Sequence, residues 1–128
     1  MVTEITEGVK VSIETEYQPE YSDPSQSHYV FTYHVTIENN SNFTVKLLRR
    51  HWIVVDAGYP KREVEGEGVI GKQPTLEPRQ FHQYVSGCNL KSGIGKMKGT
   101  FLMERISDGK QFRAVIPEFT MVAPYLIN

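Results

Sequence analysis

Apolar and polar residues alternate in step along two stretches of this chain. Val9, Val11, Ile13, Thr15 and Tyr17 alternate with Lys10, Ser12, Glu14 and Glu16, which puts apolar groups on one side of an extended segment and charge on the other. Tyr29, Phe31, Tyr33, Val35 and Ile37 repeat the pattern with aromatic and β-branched types suited to a pleated surface. Two half-buried strands are therefore expected, the second carrying much of the core. Between them, residues 18–27 are polar and hold Pro19 and Pro24, so they read as a loop. Asn39-Asn40-Ser41-Asn42 reads as a turn leading into a hairpin partner.

That partner, residues 45–55, is apolar on both sides, with Leu47, Leu48, Trp52, Ile53 and Val54. Such a run predicts a central strand covered on both faces, or one containing a bulge. Further short strands are expected over 63–67, 80–85, 97–105 and 111–116, separated by glycine, proline and Ser107-Asp108-Gly109 turns. No window shows helical periodicity. About seven antiparallel strands in one domain spanning 1–128 predict an all-β fold, an immunoglobulin-like or fibronectin type III-like β-sandwich, with a small barrel as the other arrangement. Tyr29, Phe31, Tyr33, Trp52, Phe81, Phe101 and Phe112 are the expected core aromatics.

Charge narrows the partner classes. The 128 residues hold 14 basic against 15 acidic side chains, and the two signs are interleaved, which argues against nucleic acid as a partner. No apolar run approaches the roughly 20 residues that span a bilayer, so no membrane insertion is expected. Cys88 is the single cysteine, so no internal disulfide can form, and the start Met1-Val2-Thr3-Glu4 lacks the pattern of a secretory signal. A cytoplasmic location is expected. On that expectation the acceptor-like Asn39-Asn40-Ser41 and Asn42-Phe43-Thr44 read as turn residues.

Gly66-Glu67-Gly68-Val69-Ile70-Gly71 spells the glycine spacing of a pyrophosphate cradle, with Lys72 beside it. That chemistry needs a helix N-terminus, and Pro74 and Pro78 follow instead. Gly66, Gly68, Gly71 and Lys72 are thus a candidate ligand loop, weighed against glycines that simply shape bends, with Glu63, Glu65 and Glu67 expected to repel phosphate from the same loop. Gly95-Lys96 fails as a phosphate loop because Leu90 and Met97 stand where glycine and Ser or Thr belong. The span Gly87 to Gly99, with Lys91, Lys96 and Lys98, is read as a flexible, lysine-bearing loop.

His28, His34, His51 and His82 form no short ligand pair, so no metal site is expected. Ser86 lacks a nucleophile elbow, Cys88 reads as a packing residue, and no carboxylate pair is singled out, so no catalytic residue and no cofactor are expected. Arg50 and Trp52 share strand parity and are expected to stack. Together with Arg49, Lys96 and Lys98 they make a candidate interaction patch. Exposed sandwich edges offer a route to a homodimer or to strand addition by a protein partner.

Leu48-Arg49-Arg50-His51-Trp52, Val64-Glu65-Gly66-Glu67-Gly68-Val69-Ile70-Gly71-Lys72-Gln73-Pro74, Tyr84-Val85-Ser86-Gly87-Cys88-Asn89-Leu90, Gly95-Lys96-Met97-Lys98-Gly99-Thr100-Phe101 and Ile116-Pro117-Glu118-Phe119 together resemble the ApaG family. The resemblance extends over nearly everything from Val9 onward. It implies a fibronectin type III-like sandwich without established catalytic activity, a link to cobalt resistance and magnesium efflux, and a protein-binding role. Arg79, where the family commonly has glycine, and Ser92-Gly93, where a proline-containing turn is frequent, depart from the pattern at turn positions. The reading that follows is a non-catalytic interaction module; the alternative is a small-ligand sensor holding a nucleotide or other phosphorylated compound between the two glycine-rich segments.

Overall fold

A computed structural model of the chain describes residues 1–124. Among these residues nine strands run in order: β1 (Val2–Thr6), β2 (Val9–Tyr17), β3 (Tyr29–Asn39), β4 (Val45–Asp56), β5 (Arg62–Glu67), β6 (Thr75–Leu76), β7 (Phe81–Leu90), β8 (Ile94–Arg105) and β9 (Gln111–Val122). They form two antiparallel sheets, ordered β1-β2-β3-β7 and β5-β4-β8-β9, with β6 pairing a further stretch of β4. The fold is an all-β sandwich. Single 3-10 turns, Pro19–Tyr21 and Pro24–Gln26, interrupt the loop expected over 18–27.

The alternation on β2 and β3 does what the period of two requires. Val9, Val11 and Ile13 point inward with Phe31, Tyr33, Val35 and Ile37 and are almost completely buried. From the opposite sheet, Leu47, Trp52, Met97, Phe101, Met103, Ala114, Ile116 and Met121 complete the core. Two of the expected core aromatics stand apart. Tyr29 is only partly buried against the core, and Phe81 opens β7 at 62% exposure because its parity sends it to the outer face.

Residues 39–42 do not form the expected hairpin. β3 and β4 belong to different sheets, and the chain crosses between them around Asn39, whose side chain is buried. Its Nδ2 donates to the carbonyls of Phe43 (2.7 Å) and Leu76 (2.9 Å), while Oδ1 accepts from the backbone N–H (3.0 Å) and hydroxyl (2.6 Å) of Ser41. Asparagine is needed there as a buried junction carrying donors and acceptors together.

β4 is central, as expected, with β5 and β8 as neighbours. Its two-sided apolarity includes a bulge: the register with β8 slips between Leu47 and Arg49. The extra residue resets parity, so Leu47 faces inward and so do Arg50, Trp52, Val54 and Asp56.

The span from Gly87 to Gly99 is not a flexible loop. Its first residues finish β7 and its last belong to β8, leaving only 91–93 as a turn. Gly93 supplies the positive φ of 76° there. β1 was not legible in the alternation, and β6 spans two residues.

β1 and β2 pack against β9 and close one long side of the sandwich. The edge strands β5 and β7 diverge on the other side and leave it open.

Candidate functional site

The open side holds a cleft of about 420 Å³. Parity selects its lining. The inward residues of β7 there are Tyr84, Ser86 and Cys88; those of β5 are Arg62 and Val64; the floor is Tyr33, Trp52, Val54 and Met97. Trp52 anchors that floor. Its ring meets Tyr33 edge-on at 5.3 Å, Phe119 at 6.1 Å and Phe101 at 6.3 Å between centroids, a geometry that suits aromatic quadrupoles and holds the wall rigid.

The glycine-spaced segment closes one end as a tight hairpin. Val69 and Lys72 exchange N–H···O bonds of 2.8 and 3.0 Å, and the two residues between them, Ile70 and Gly71, take φ of 46° and 72°. Positive φ at both positions matches the type I′ turn that fits strand twist. Gly68, at φ 59°, is needed because the Lys72 carbonyl lies where a side chain would stand. Gly66 lies in β5 opposite Arg50. No helix begins here, and the amides of Gly68, Val69 and Lys72 already donate to the carbonyls of Leu48, Lys72 and Val69. Lys72 sits near His82, whose pKa is lowered by desolvation and then by that ammonium charge.

Two guanidinium groups enter the cleft. Arg50 Nη1 donates to the Glu67 and Gly68 carbonyls, both at 3.1 Å, which ties it to the hairpin. Arg62 Nη2 donates to the Asn89 carbonyl at 2.6 Å and so bridges β5 to β7 at the opposite end. Arg50 therefore does not stack on Trp52; the two share the cleft as neighbours on one strand face. Neither arginine forms a salt bridge among the described residues. The buried Asp56 nearby is occupied: Lys91 N donates to its Oδ2 at 2.7 Å, and Ser92 N and Oγ donate to Oδ1 at 3.0 and 2.6 Å.

The acidic residues expected to repel anions from this segment lie elsewhere. Glu63, Glu65 and Glu67 occupy the outward face of β5, opposite Ile53, His51 and Arg49. There His51 Nε2 stands 3.5 Å from Glu63 Oε2 and 3.7 Å from Glu65 Oε1. The alternation of glutamate with Arg62, Val64 and Gly66 sorts charge by face, so the cleft side is basic.

Polar groups on β7 complete the wall. The Tyr84 hydroxyl is shut away from solvent and finds no hydrogen-bond partner among the described residues; burial pushes its pKa up, with smaller contributions from Tyr33, which raises it, and Arg50, which lowers it. Tyr33 is also raised, by burial first, while a side-chain hydrogen bond with Ser86 opposes this. The Cys88 thiol is raised by burial, against the Arg62 charge and hydrogen bond that lower it. Ser86 thus faces a tyrosine and Cys88 an arginine, with no histidine lining the cleft.

The candidate patch divides between two faces. Arg50 and Trp52 line the cleft, whereas Arg49, Lys96 and Lys98 lie on the outer face of the second sheet, Lys96 paired with Glu118 at 3.5 Å. Of the candidate ligand loop, Gly66 and Gly68 adjoin Arg50, Gly71 completes the hairpin, and Lys72 lies toward His82. The sequence does not single out Tyr84 as a site residue, and Arg62 stands out in it only by lying four positions before Gly66. The period-two series Tyr84, Ser86, Cys88 and Arg62, Val64, Gly66 was the available signal, but which edges face each other depends on sheet order.

Comparison with known proteins gives one consistent answer. The family model of the ApaG domain matches residues 19–105. A relative from Acidithiobacillus ferrooxidans, Protein ApaG, is 47% identical over 116 residues, 90% of each chain. Another from Anaeromyxobacter dehalogenans, also Protein ApaG, is 41% identical over 128 residues and covers both chains completely. A crystal structure of an ApaA protein from Bordetella pertussis superposes with a TM-score of 0.87 at 41% identity, covering 91% of this chain and 94% of that one.

Proposed function

This chain belongs to the ApaG family, and from that premise we propose that it is a non-catalytic binding module whose working surface is the cleft between β5 and β7. The carrying observation is the lining: a rigid aromatic floor with two inward arginines and an unpartnered tyrosine hydroxyl. Trp, Tyr and Arg are the residue types that anchor recognition sites. A volume of about 420 Å³ lies within the range of ligand pockets. The polar groups suit holding better than chemistry. Burial keeps the Cys88 thiol protonated, and no histidine stands beside Ser86 to act as a base.

The alternative, a phosphorylated ligand cradled by the glycine segment, draws less support. Phosphate cradles depend on free backbone amides, and three of this hairpin's amides are spent on carbonyls. The link to cobalt resistance and magnesium efflux enters this reading as the activity of a partner protein. No three His, Cys, Asp or Glu side chains converge on a metal position among the described residues. No helix among them is long and apolar enough to cross a membrane.

Affinity capture from native lysate tests the reading. A protein captured by the wild-type chain should be lost from a Val64→Glu variant, altered inside the cleft, and kept by an Arg49→Glu, Lys98→Glu variant altered on the outer face. The reverse pattern would move the working surface to the outer sheet.

A further inference from the structure

Among the described residues the two sheets end in four edges, and three of them are covered or guarded. β1 and β9 pack together, with the Val115 N–H donating to Thr6 Oγ1 at 3.0 Å. β5 carries Glu63, Glu65 and Glu67 within six residues, the kind of charge that keeps an edge from pairing. β7 has none of these guards: across Phe81–Leu90 there is no proline, no Asp, Glu, Lys or Arg, and no slip in the register with β3.

Which backbone groups of β7 are open follows from β3. The Val30 N–H donates to Ser22 Oγ at 2.9 Å and the Val30 C=O accepts from the Gln18 N–H at 2.8 Å, so both point away from β7. Val30 and Asn89 are partners in register, and in an antiparallel ladder such a pair leaves the N–H and C=O of both residues facing outward. The Asn89 carbonyl does face outward, because Arg62 reaches it from β5 at 2.6 Å. With a period of two, the N–H and C=O of Gln83, Val85 and Gly87 face the same way, and all three residues are exposed. No turn or loop group among the described residues bonds to them.

Side chains beside this edge are apolar on both faces. Phe81 and Val85 are exposed on the outer face, and Val64 and Ile70 are exposed at the cleft. A strand laid along β7 would cover the first pair with one set of alternate side chains and the second pair with the other. Charge narrows what that strand is. The charged side chains lining the cleft are Arg50 and Arg62, which oppose Lys or Arg on the inward set. They also oppose a second copy: β5 faces β7 across the cleft, so joining two copies at β7 would bring their β5 strands together, Arg62 toward Arg62.

Resting on the binding-module reading above, we propose that the partner binds as an added strand. An extended segment of another protein, free of proline and with apolar, non-basic residues at alternate positions, pairs its backbone with Gln83, Val85 and Gly87 and turns those apolar residues into the cleft over Trp52.

Hydrogen exchange followed by NMR tests the edge in the free chain. The amides of Gln83, Val85 and Gly87 should exchange at least about tenfold faster than those of His82, Tyr84 and Ser86, which face β3. Equal protection would mean a covered edge and would overturn the proposal, as would protection that rises with protein concentration, the sign of self-pairing.

Random linear peptides displayed on phage and selected on the wild-type chain supply the probe. Selected sequences should place apolar residues at alternate positions and lack lysine and arginine there. In synthetic copies, N-methylation at the residues that bond β7 should weaken binding at least about tenfold, and at the residues between them by less than about twofold. Val85→Pro removes one edge N–H and leaves the β3 ladder intact, so its thermal melt should stay near that of the wild type while peptide binding falls at least about tenfold. Should that variant melt early, the methylated peptides decide without it. An absence of binders above background, or methylation effects without a period of two, would overturn the proposal.

Lysate capture separates the added strand from the reading it rests on. A protein lost with Val64→Glu but kept by a folded Val85→Pro leaves the cleft as the working surface and removes the strand. Period-two peptide binding with capture indifferent to Val64→Glu keeps the strand and removes that reading.

Discussion

Arg50 and Gly66 stand directly opposite each other across the β4–β5 ladder, and the guanidinium occupies the space of the missing side chain: a Cβ at residue 66 would lie 2.8 Å from Nη1. The obstacle is the end of a flexible side chain, so Gly66→Ala should fold and lose less than about 1 kcal/mol. The arginine must move, however, and leave the Glu67 and Gly68 carbonyls. Near-native stability in urea is the expected result.

Gly68→Ala is a different substitution. The residue has φ 59°, and its Cβ would run into the backbone carbonyl of Lys72, which cannot move without breaking the Val69–Lys72 pair. Left-handed strain and the clash should together cost about 2–3 kcal/mol, or unmake the hairpin locally. Urea melts comparing the two alanine variants test this; equal losses would mean that the hairpin yields as easily as a side chain.

Asp56 holds the β7–β8 turn to the end of β4. Burial alone would raise its pKa, but the hydrogen bonds from Lys91 N and from the hydroxyl and amide of Ser92 outweigh that, and Arg62 adds to them, so the net shift is downward. A carboxylate with a lowered folded pKa adds stability that is complete above its unfolded value, near 3.9, and is lost as pH falls through the folded pKa. Asp56→Asn should cost about 1–3 kcal/mol at pH 7, because an amide nitrogen replaces one acceptor facing these donors. The gap between wild type and variant should narrow in melts taken below pH 4. A gap that stayed constant with pH would show that the ionised form is not what matters.

Cys88 is 8% exposed and its thiol is held protonated mainly by burial, while Arg62 pulls the other way. Reaction with a disulfide reagent near pH 8 should be at least about tenfold slower in the native protein than in urea, since the thiolate is the reactive form. Arg62→Gln should slow it further. Rapid native labelling would mean an open, activated thiol and would revive a nucleophilic reading of this wall.

The alternation on β2 and β3, the two-sided run on β4 and the turn residues were enough to read a sandwich, because each depends on neighbours along the chain. What could not be read depends on which strands meet in space. Asn39 looks like a turn residue until its amide is seen holding Leu76, 37 positions away, and so the sheet crossover passed for a hairpin. Glutamates at 63, 65 and 67 look like a repulsive loop until strand parity turns them away from Arg62 and Gly66. Arg79, which breaks the family pattern at a glycine position, has φ 75° and donates to the Ser41 carbonyl at 3.0 Å. The sequence marked the departure, and only the fold shows the contact beside the strain.

Tyr84 carries a stability cost in its hydroxyl. Its hydroxyl is buried without a hydrogen-bond partner among the described residues, an arrangement that usually costs about 1–3 kcal/mol relative to a satisfied group. Phenylalanine has the same ring without that cost. Tyr84→Phe should therefore raise stability, by up to about 1 kcal/mol once the ring packing is kept constant. Urea melts of the two proteins check this. Loss of stability in the phenylalanine variant would mean that the hydroxyl is already satisfied in the free protein.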